Sequence, residues 1–298
     1  MTTGVLVMAY GTPRDREDIK TYYTDIRRGR PPTPELLADL VRRYDALGGT
    51  FPLRDITDRQ VAAIATSLGD GYTVTLGTKH SSPKVEEGVA ELAARGVERV
   101  IGLVLAPHFS RFSIGEYAER AAKAGTEHGL VVDTVSSWHL MPAYLSFLQR
   151  AVTDALSQLP AGSKVVFTAH SLPQRILESG DPYPAQLRET ADAVAEALQL
   201  PDYDIGWQSA GRTPEPWLGP DVLDIVRDHA AGGAAGLVVS ACGFVADHLE
   251  VAYDLDIEAA VLAKELGLPF ARTASVNDDA SVMTALADLV AQRCRTLG

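Results

Sequence analysis

Asp247, Glu250, Asp254 and Glu258 are four carboxylates at spacings of three, four and four. On an α-helix, at about 100° per residue, they fall within an arc of about 80°. Like charges four apart each cost a helix a few tenths of a kcal/mol, about 0.2–0.5. Leu249, Val251, Ala252, Tyr253, Leu255 and Ile257 are spread around the same wheel, so most of this helix is expected to be packed. A line of negative charge on a largely buried helix calls for a cation, a proton or a channel of water. It is therefore a candidate path for a metal ion, with an ordinary solvated acidic face as the rival. The preceding run 236–245 reads as a buried strand and turn. A helix that starts after such a strand sits at the carboxyl edge of a parallel sheet, where α/β proteins bind their ligands.

His170 stands at the end of another apolar run, where a neutral imidazole can act as ligand or base, or simply as a structural hydrogen-bonder. With a carboxylate from the equivalent strand–helix junction, His170 and Glu250 make a mixed nitrogen–oxygen pair suited to a borderline divalent metal such as iron(II). Two ligands with open positions hold a metal loosely, which fits a metal that is passed on. Ser171 does not read as a hydrolase nucleophile, because Ala169 and Pro173 stand where the nucleophile elbow needs glycine. No dinucleotide fingerprint or phosphate-binding glycine loop follows any strand. Arg27, Arg28 and Arg30, followed by Arg42, Arg43 and Tyr44, form a basic patch in an acidic chain. Either it serves solubility, or its planar forks pair with the carboxylates of an anionic ligand.

These residues need a frame to hold them. Strands are expected at 5–9, 72–77, 100–106, 131–135, 164–168, 203–207, 236–241 and 269–272. Helical patterns fill the intervals at 33–47, 56–68, 84–95, 114–127, 142–159, 184–200, 220–230, 249–266 and from 280 to the end. Such alternation predicts an α/β fold with parallel sheets flanked by helices. The runs 5–13 and 165–173 share a plan: an apolar strand, Ala, a ring (Tyr10 or His170), a small residue, a spacer and Pro. Two similar lobes follow, 1–160 and 161–298, with a cleft between them faced by Tyr10 and His170. Chance likeness between two buried strands is the rival explanation.

Composition sets the outer bounds. The chain has 298 residues, 46% of them apolar and 22% charged, so it can bury one large core or two ordinary ones. A net charge of -12 argues against nonspecific nucleic-acid binding. No signal peptide is visible, and runs such as 100–107 are too short to span a bilayer. Two cysteines, Cys242 and Cys294, cannot supply the four ligands of a structural zinc or an iron–sulfur cluster within one chain. The chain is expected to be cytoplasmic.

Over essentially its whole length the chain resembles the ferrochelatases. The resemblance is carried by Ala9-Tyr10-Gly11-Thr12-Pro13, the stretch from Tyr22 to Arg30, Ala106-Pro107-His108-Phe109-Ser110, Ala169-His170-Ser171-Leu172-Pro173, Trp207-Gln208-Ser209 with Trp217-Leu218-Gly219-Pro220, and Gly243 to Glu250. It is most similar to the short type of Gram-positive bacteria, which acts on coproporphyrin III. The resemblance implies two Rossmann-like lobes and a lyase that inserts Fe(II) into a porphyrin, forming nitrogen–metal bonds in haem biosynthesis. It implies His170 and Glu250 as catalytic residues facing the metal, with Asp254 and Glu258 continuing the row for metal delivery or proton exit. Tyr10 ligates the inserted iron, Arg27 and Arg43 meet propionates, and Tyr44 and Tyr117 line the substrate pocket. Iron is a substrate here, and neither a prosthetic group nor an iron–sulfur cluster is expected. Porphyrin and ferrous ion are the expected partners, with no nucleic acid, no transmembrane segment and a monomeric chain. Insertion into protoporphyrin IX, or a haem carrier without insertion activity, are the alternatives. One departure stands out: in Gly48-Gly49-Thr50-Phe51-Pro52-Leu53, Phe51 occupies the place of a serine that contacts a propionate in the family.

Overall fold

The computed structural model describes residues 3–49, 51–211 and 213–296. The chain opens with β1 (Thr3–Ala9), α1 (Ile19–Ile26), α2 (Pro34–Ala46), α3 (Pro52–Leu68), β2 (Tyr72–Thr78), α4 (Val85–Ala94) and β3 (Arg99–Val104). A π-helical turn (Arg111–Gly115), α5 (Glu116–Glu127) and β4 (Val131–Val135) follow. Next come α6 (Pro142–Ser157), β5 (Lys164–His170), α7 (Arg175–Glu178), α8 (Tyr183–Leu198), β6 (Asp204–Gln208), α9 (Val222–Ala231) and β7 (Leu237–Ser240). The short α10 (Leu249–Val251) runs into a second π-helix (Ala252–Ala259). The chain then continues through α11 (Ala260–Glu265), β8 (Phe270–Arg272) and α12 (Ala280–Thr296).

The eight strands form two four-stranded parallel sheets, ordered β2-β1-β3-β4 and β6-β5-β7-β8. Counted within each sheet, the order is the same: second, first, third, fourth. The likeness between the runs 5–13 and 165–173 thus has a topological counterpart. Val5, Leu6, Val7 and Met8 of β1 and Val166 and Phe167 of β5 are fully buried. An unbroken apolar strand is what a parallel sheet covered on both faces requires. In each sheet the strand order reverses beside the first strand, and open α/β sheets take ligands at the carboxyl ends next to such a reversal. Tyr10 follows β1 directly, and β5 ends on His170, two residues beyond the expected strand.

The chain packs as two compact units. One comprises Met1–Ala106, Arg111–Ser137 and Asn277–Gly298; the other comprises Pro107–Ser110 and Trp138–Val276. This division departs from the expected halves at 160. Helices settle on whichever sheet accepts their apolar face, and alternation along the chain does not say which one that is. α6 buries Tyr144, Leu148 and Val152 and packs on α8 and β7 of the second unit, while α12 packs on α3 and β3 of the first. Two further differences concern helices. α1 lies where no helical period was evident, and the expected helix 249–266 is an α–π–α succession. Among the described residues, no helix is long and apolar enough to cross a membrane.

Candidate active site

In the second unit, the turn after β7 lies hard against the end of β5. The Gly243 amide donates to the Thr168 carbonyl at 2.9 Å. A Cβ on Gly243 would sit 2.3 Å from that of Ala169, so only glycine allows this approach. The contact brings the segment carrying His248 and Glu250 beside His170. His170 Nε2 is 3.6 Å from Glu250 Oε2, and His248 Nε2 is 3.7 Å from the same oxygen. Both imidazoles are turned by their backbone partners. The Nδ1–H of His170 donates to the Ser171 carbonyl at 2.5 Å, and that of His248 to the Ala246 carbonyl at 2.9 Å. With Nδ1 donating to the backbone, each ring in its neutral form would offer its Nε2 lone pair toward Glu250. Each lone pair lies within 4 Å of the carboxylate oxygen and repels it until a proton or a cation enters. Burial opposes charge on His248, yet Glu250, the Ala246 carbonyl and Asp254 together hold its pKa above the ordinary histidine value.

Phe244 forms an apolar wall behind this cluster, its ring 5.1 Å from that of His248 and 6.4 Å from that of His170. Tyr183 donates to the His170 carbonyl at 3.1 Å, and burial pushes its hydroxyl well up, so it stays a donor. The acidic row continues through Asp254, which is buried and accepts from Ser209 Oγ at 2.5 Å, to the half-buried Glu258. Carboxylates four apart on an α-helix spiral by about 40° per step. The i→i+5 winding of the π-helix, with more residues per turn, counters that drift. It also aligns Val251, Leu255 and Ala259 as a buried stripe packed against Val166, Ile225 and Val239. Asp247 is a correction to the expected row: it is committed to Arg272 at 3.1 Å and to Ser275 at 2.8 Å.

The remaining expected residues lie in the first unit. Tyr10 is 44% exposed, and its ring meets the edge of His80 at 4.7 Å. His80 Nδ1–H donates to Asp25 at 2.8 Å, and Lys84 holds the other Asp25 oxygen at 2.7 Å. Burial lowers the His80 pKa to about 4 against the opposing pull of Asp25, so this imidazole is neutral near neutrality. Tyr44 and Tyr117 are each only 4% exposed. Tyr44 stacks on Phe51 at 4.5 Å, and Tyr117 lies under Lys79, whose ammonium is 5.5 Å from the ring centroid. Arg43 sits 3.4 Å from Asp39, and the Arg27 guanidinium lies 5.8 Å from the Tyr23 ring centroid, its buried Nε finding no hydrogen-bond partner among the described residues.

Sequence reasoning missed His248, Ser209, Arg272 and His80. His248 stood in plain view two positions before Glu250. On a helix, residues two apart face away from each other. His248 instead precedes the helix with extended backbone (φ -155°, ψ 179°), which turns its ring to the same side as Glu250. Ser209 lies in the Trp207-Gln208-Ser209 motif, but its contact with Asp254 arises only through the fold, and nothing local marks Arg272.

Residues 2–294 match the ferrochelatase family model. The coproporphyrin III ferrochelatase of Geobacillus sp. is 44% identical, over 98% of this chain and 98% of that protein. The coproporphyrin III ferrochelatases of Halalkalibacterium halodurans (43%; 97% of this chain, 96% of that one) and Bacillus subtilis (42%; 97% of each) are similar too. Among solved structures, SirB from Bacillus subtilis with Fe3+ superposes with a TM-score of 0.63 at 8% identity, covering 98% of this chain and 95% of that one. CbiX, the terminal enzyme for biosynthesis of sirohaem in denitrifying bacteria, gives 0.56 at 16% identity, covering 97% and 99%. At such low identity these two speak for the fold alone, whereas the family match runs through His170, Glu250 and the acidic row. The chain belongs to the ferrochelatase family.

Proposed function

We propose that this chain inserts ferrous ion into coproporphyrin III to give coprohaem, a step of haem biosynthesis. The observation that carries the reading is the convergence of His170 and His248 on one oxygen of Glu250, at 3.6 and 3.7 Å, at the head of a row that continues through Asp254 and Glu258. Insertion exchanges two pyrrole N–H protons for one Fe(II), with no change of oxidation state. The ring must bend to expose its nitrogen lone pairs, and binding energy from remote propionates can be spent on that strain. His170 or Glu250 takes the protons. A proton held between the imidazoles and the carboxylate relieves the repulsion described above. Asp254 and Glu258 stage the metal or carry protons away. In this reading Arg27 and Arg43 would pair with propionates, Tyr10 would ligate the inserted iron, and Tyr44 and Tyr117 would back the porphyrin-binding surface.

The same reading extends to the setting. The chain works in the cytoplasm as a monomer without a nucleic-acid partner, as its net charge of -12 favours. It carries no iron–sulfur cluster, since it has only two cysteines. The test is a side-by-side assay of the purified chain with ferrous ion and either coproporphyrin III or protoporphyrin IX under nitrogen. A higher kcat/KM for coproporphyrin III is expected. Preference for protoporphyrin IX would overturn the substrate, and binding of preformed haem without any insertion would make the chain a carrier.

A further inference from the structure

Arg272, the last residue of β8, spends its whole guanidinium on the segment that carries the acidic row. Its Nε donates to Asp256 Oδ1 at 2.6 Å and its Nη2 to Asp256 Oδ2 at 2.9 Å, a two-pronged pair. Its Nη1 lies 3.1 Å from Asp247 Oδ1 and also donates to the Thr273 carbonyl at 3.1 Å. Asp247 Oδ1 is further held by Ser275 Oγ at 2.8 Å. The two carboxylates so tied bracket His248, Glu250 and Asp254. One arginine therefore pins the extended entry to the segment at Asp247 and the π-helix at Asp256 to the same strand.

The arrangement has two physical consequences. It takes Asp247 and Asp256 out of the pool of free negative charge, so the carboxylates left to meet a metal are Glu250, Asp254 and Glu258. It also fixes the winding. A π-turn is rare and has poorer local support than an α-turn, and the buried stripe Val251, Leu255 and Ala259 holds only its inner face. A tie at each end opposes relaxation to α-helical winding, which would change the angle between Glu250 and Asp254. Lysine could not do this, because a point charge does not span two carboxylates in fixed geometry.

We propose that Arg272 is a positioning residue of the insertion reaction, clamping both ends of the acidic segment so that Glu250 and Asp254 stay in register for the metal. This rests on the function proposed above. The test compares the unmodified chain with Arg272→Met, which keeps the apolar stem, and Asp256→Asn, which removes only the two-pronged pair and remains informative if Arg272→Met fails to fold. Apparent KM values for ferrous ion and for coproporphyrin III are measured separately under nitrogen, together with amide hydrogen exchange over 252–259. Loss of an outer partner of a metal-handling site typically costs about 10–100-fold. The expected result is a fall of that order in kcat/KM for ferrous ion in Arg272→Met and a smaller one in Asp256→Asn. The porphyrin KM should stay unchanged, and exchange over 252–259 should be faster. Equal loss toward both substrates, or unchanged exchange and unchanged ferrous KM, would overturn the proposal. If the unmodified chain inserts no iron, the functional reading falls, and the exchange rates judge the clamp by themselves.

Discussion

Replacing Glu250 with glutamine keeps the shape of the cluster and removes its charge. When His170 takes a pyrrole proton it becomes an imidazolium 3.6 Å from the carboxylate oxygen. Unit charges at that distance attract by about 4.6 kcal/mol at an effective dielectric of 20 and by about 1.2 kcal/mol in water. The two side chains are 33% and 36% exposed, so solvent screening brings the value toward the lower bound, about 1–2 kcal/mol. At about 1.4 kcal/mol per factor of ten, that is a loss of roughly 5–30-fold in the rate of the proton-accepting step. Loss of a metal ligand adds to it. The assay is the anaerobic decay of free-base coproporphyrin fluorescence at saturating ferrous ion. kcat for Glu250→Gln should fall at least about tenfold, with the porphyrin KM unchanged. The same variant has a signature in stability. His248, whose pKa the fold raises, contributes stability that is complete below about 6.5 and vanishes as pH climbs through the raised value. Glu250→Gln should shrink that pH-dependent contribution, leaving only what the Ala246 carbonyl and Asp254 supply. Wild-type turnover together with an unaltered pH–stability profile would refute the charge argument.

Asp254→Asn retains the hydrogen bond from Ser209 while removing charge from the middle of the row, so it should raise the ferrous KM and leave the porphyrin KM alone; steady-state titrations of each substrate separate the two. His108 is 2% exposed, bonded through Nε2 to Thr190 Oγ1 at 2.9 Å, and burial lowers its pKa to about 3, with the nearby His139 adding to the effect. Folded His108 stays neutral while the unfolded chain binds a proton below about 6.5, so its contribution is complete above that pH and is lost as pH falls toward 3. Between pH 7.5 and 5 this amounts to about 2 kcal/mol, and urea unfolding at both pH values should show a smaller difference in His108→Asn. Phe51→Ser removes a stacked ring worth about 0.5–1.5 kcal/mol beyond its buried area, so thermal unfolding should come earlier; the porphyrin KM should fall if the serine regains a propionate.

The frame was legible because parallel strands buried on both faces leave continuous apolar runs, as 5–9 and 164–168 do. The shared plan of those runs pointed to two similar lobes, and the two sheets do share one strand order. The boundary was not legible, because alternation along the chain does not say which sheet α6 and α12 will cover. His170 and Glu250 stood out by residue type and by the junctions they occupy. Straight helical geometry then counted Asp247 in the row and gave no reason to single out His248 beside Glu250. The π-winding over 252–259 and the extended backbone at His248 are departures from regular helix that the residue spacing does not announce. Arg272 and Ser275 meet Asp247 only after β8 has joined β7. No local pattern announces a partner that far along the chain.

The most direct measurement is iron insertion by His170→Ala beside the unmodified chain, with coproporphyrin III and ferrous ion under nitrogen. The unmodified chain should convert free-base coproporphyrin to coprohaem, and the variant should lose that conversion while still binding the porphyrin. Turnover by His170→Ala at the rate of the unmodified chain would contradict the role given to the imidazole at the head of the acidic row.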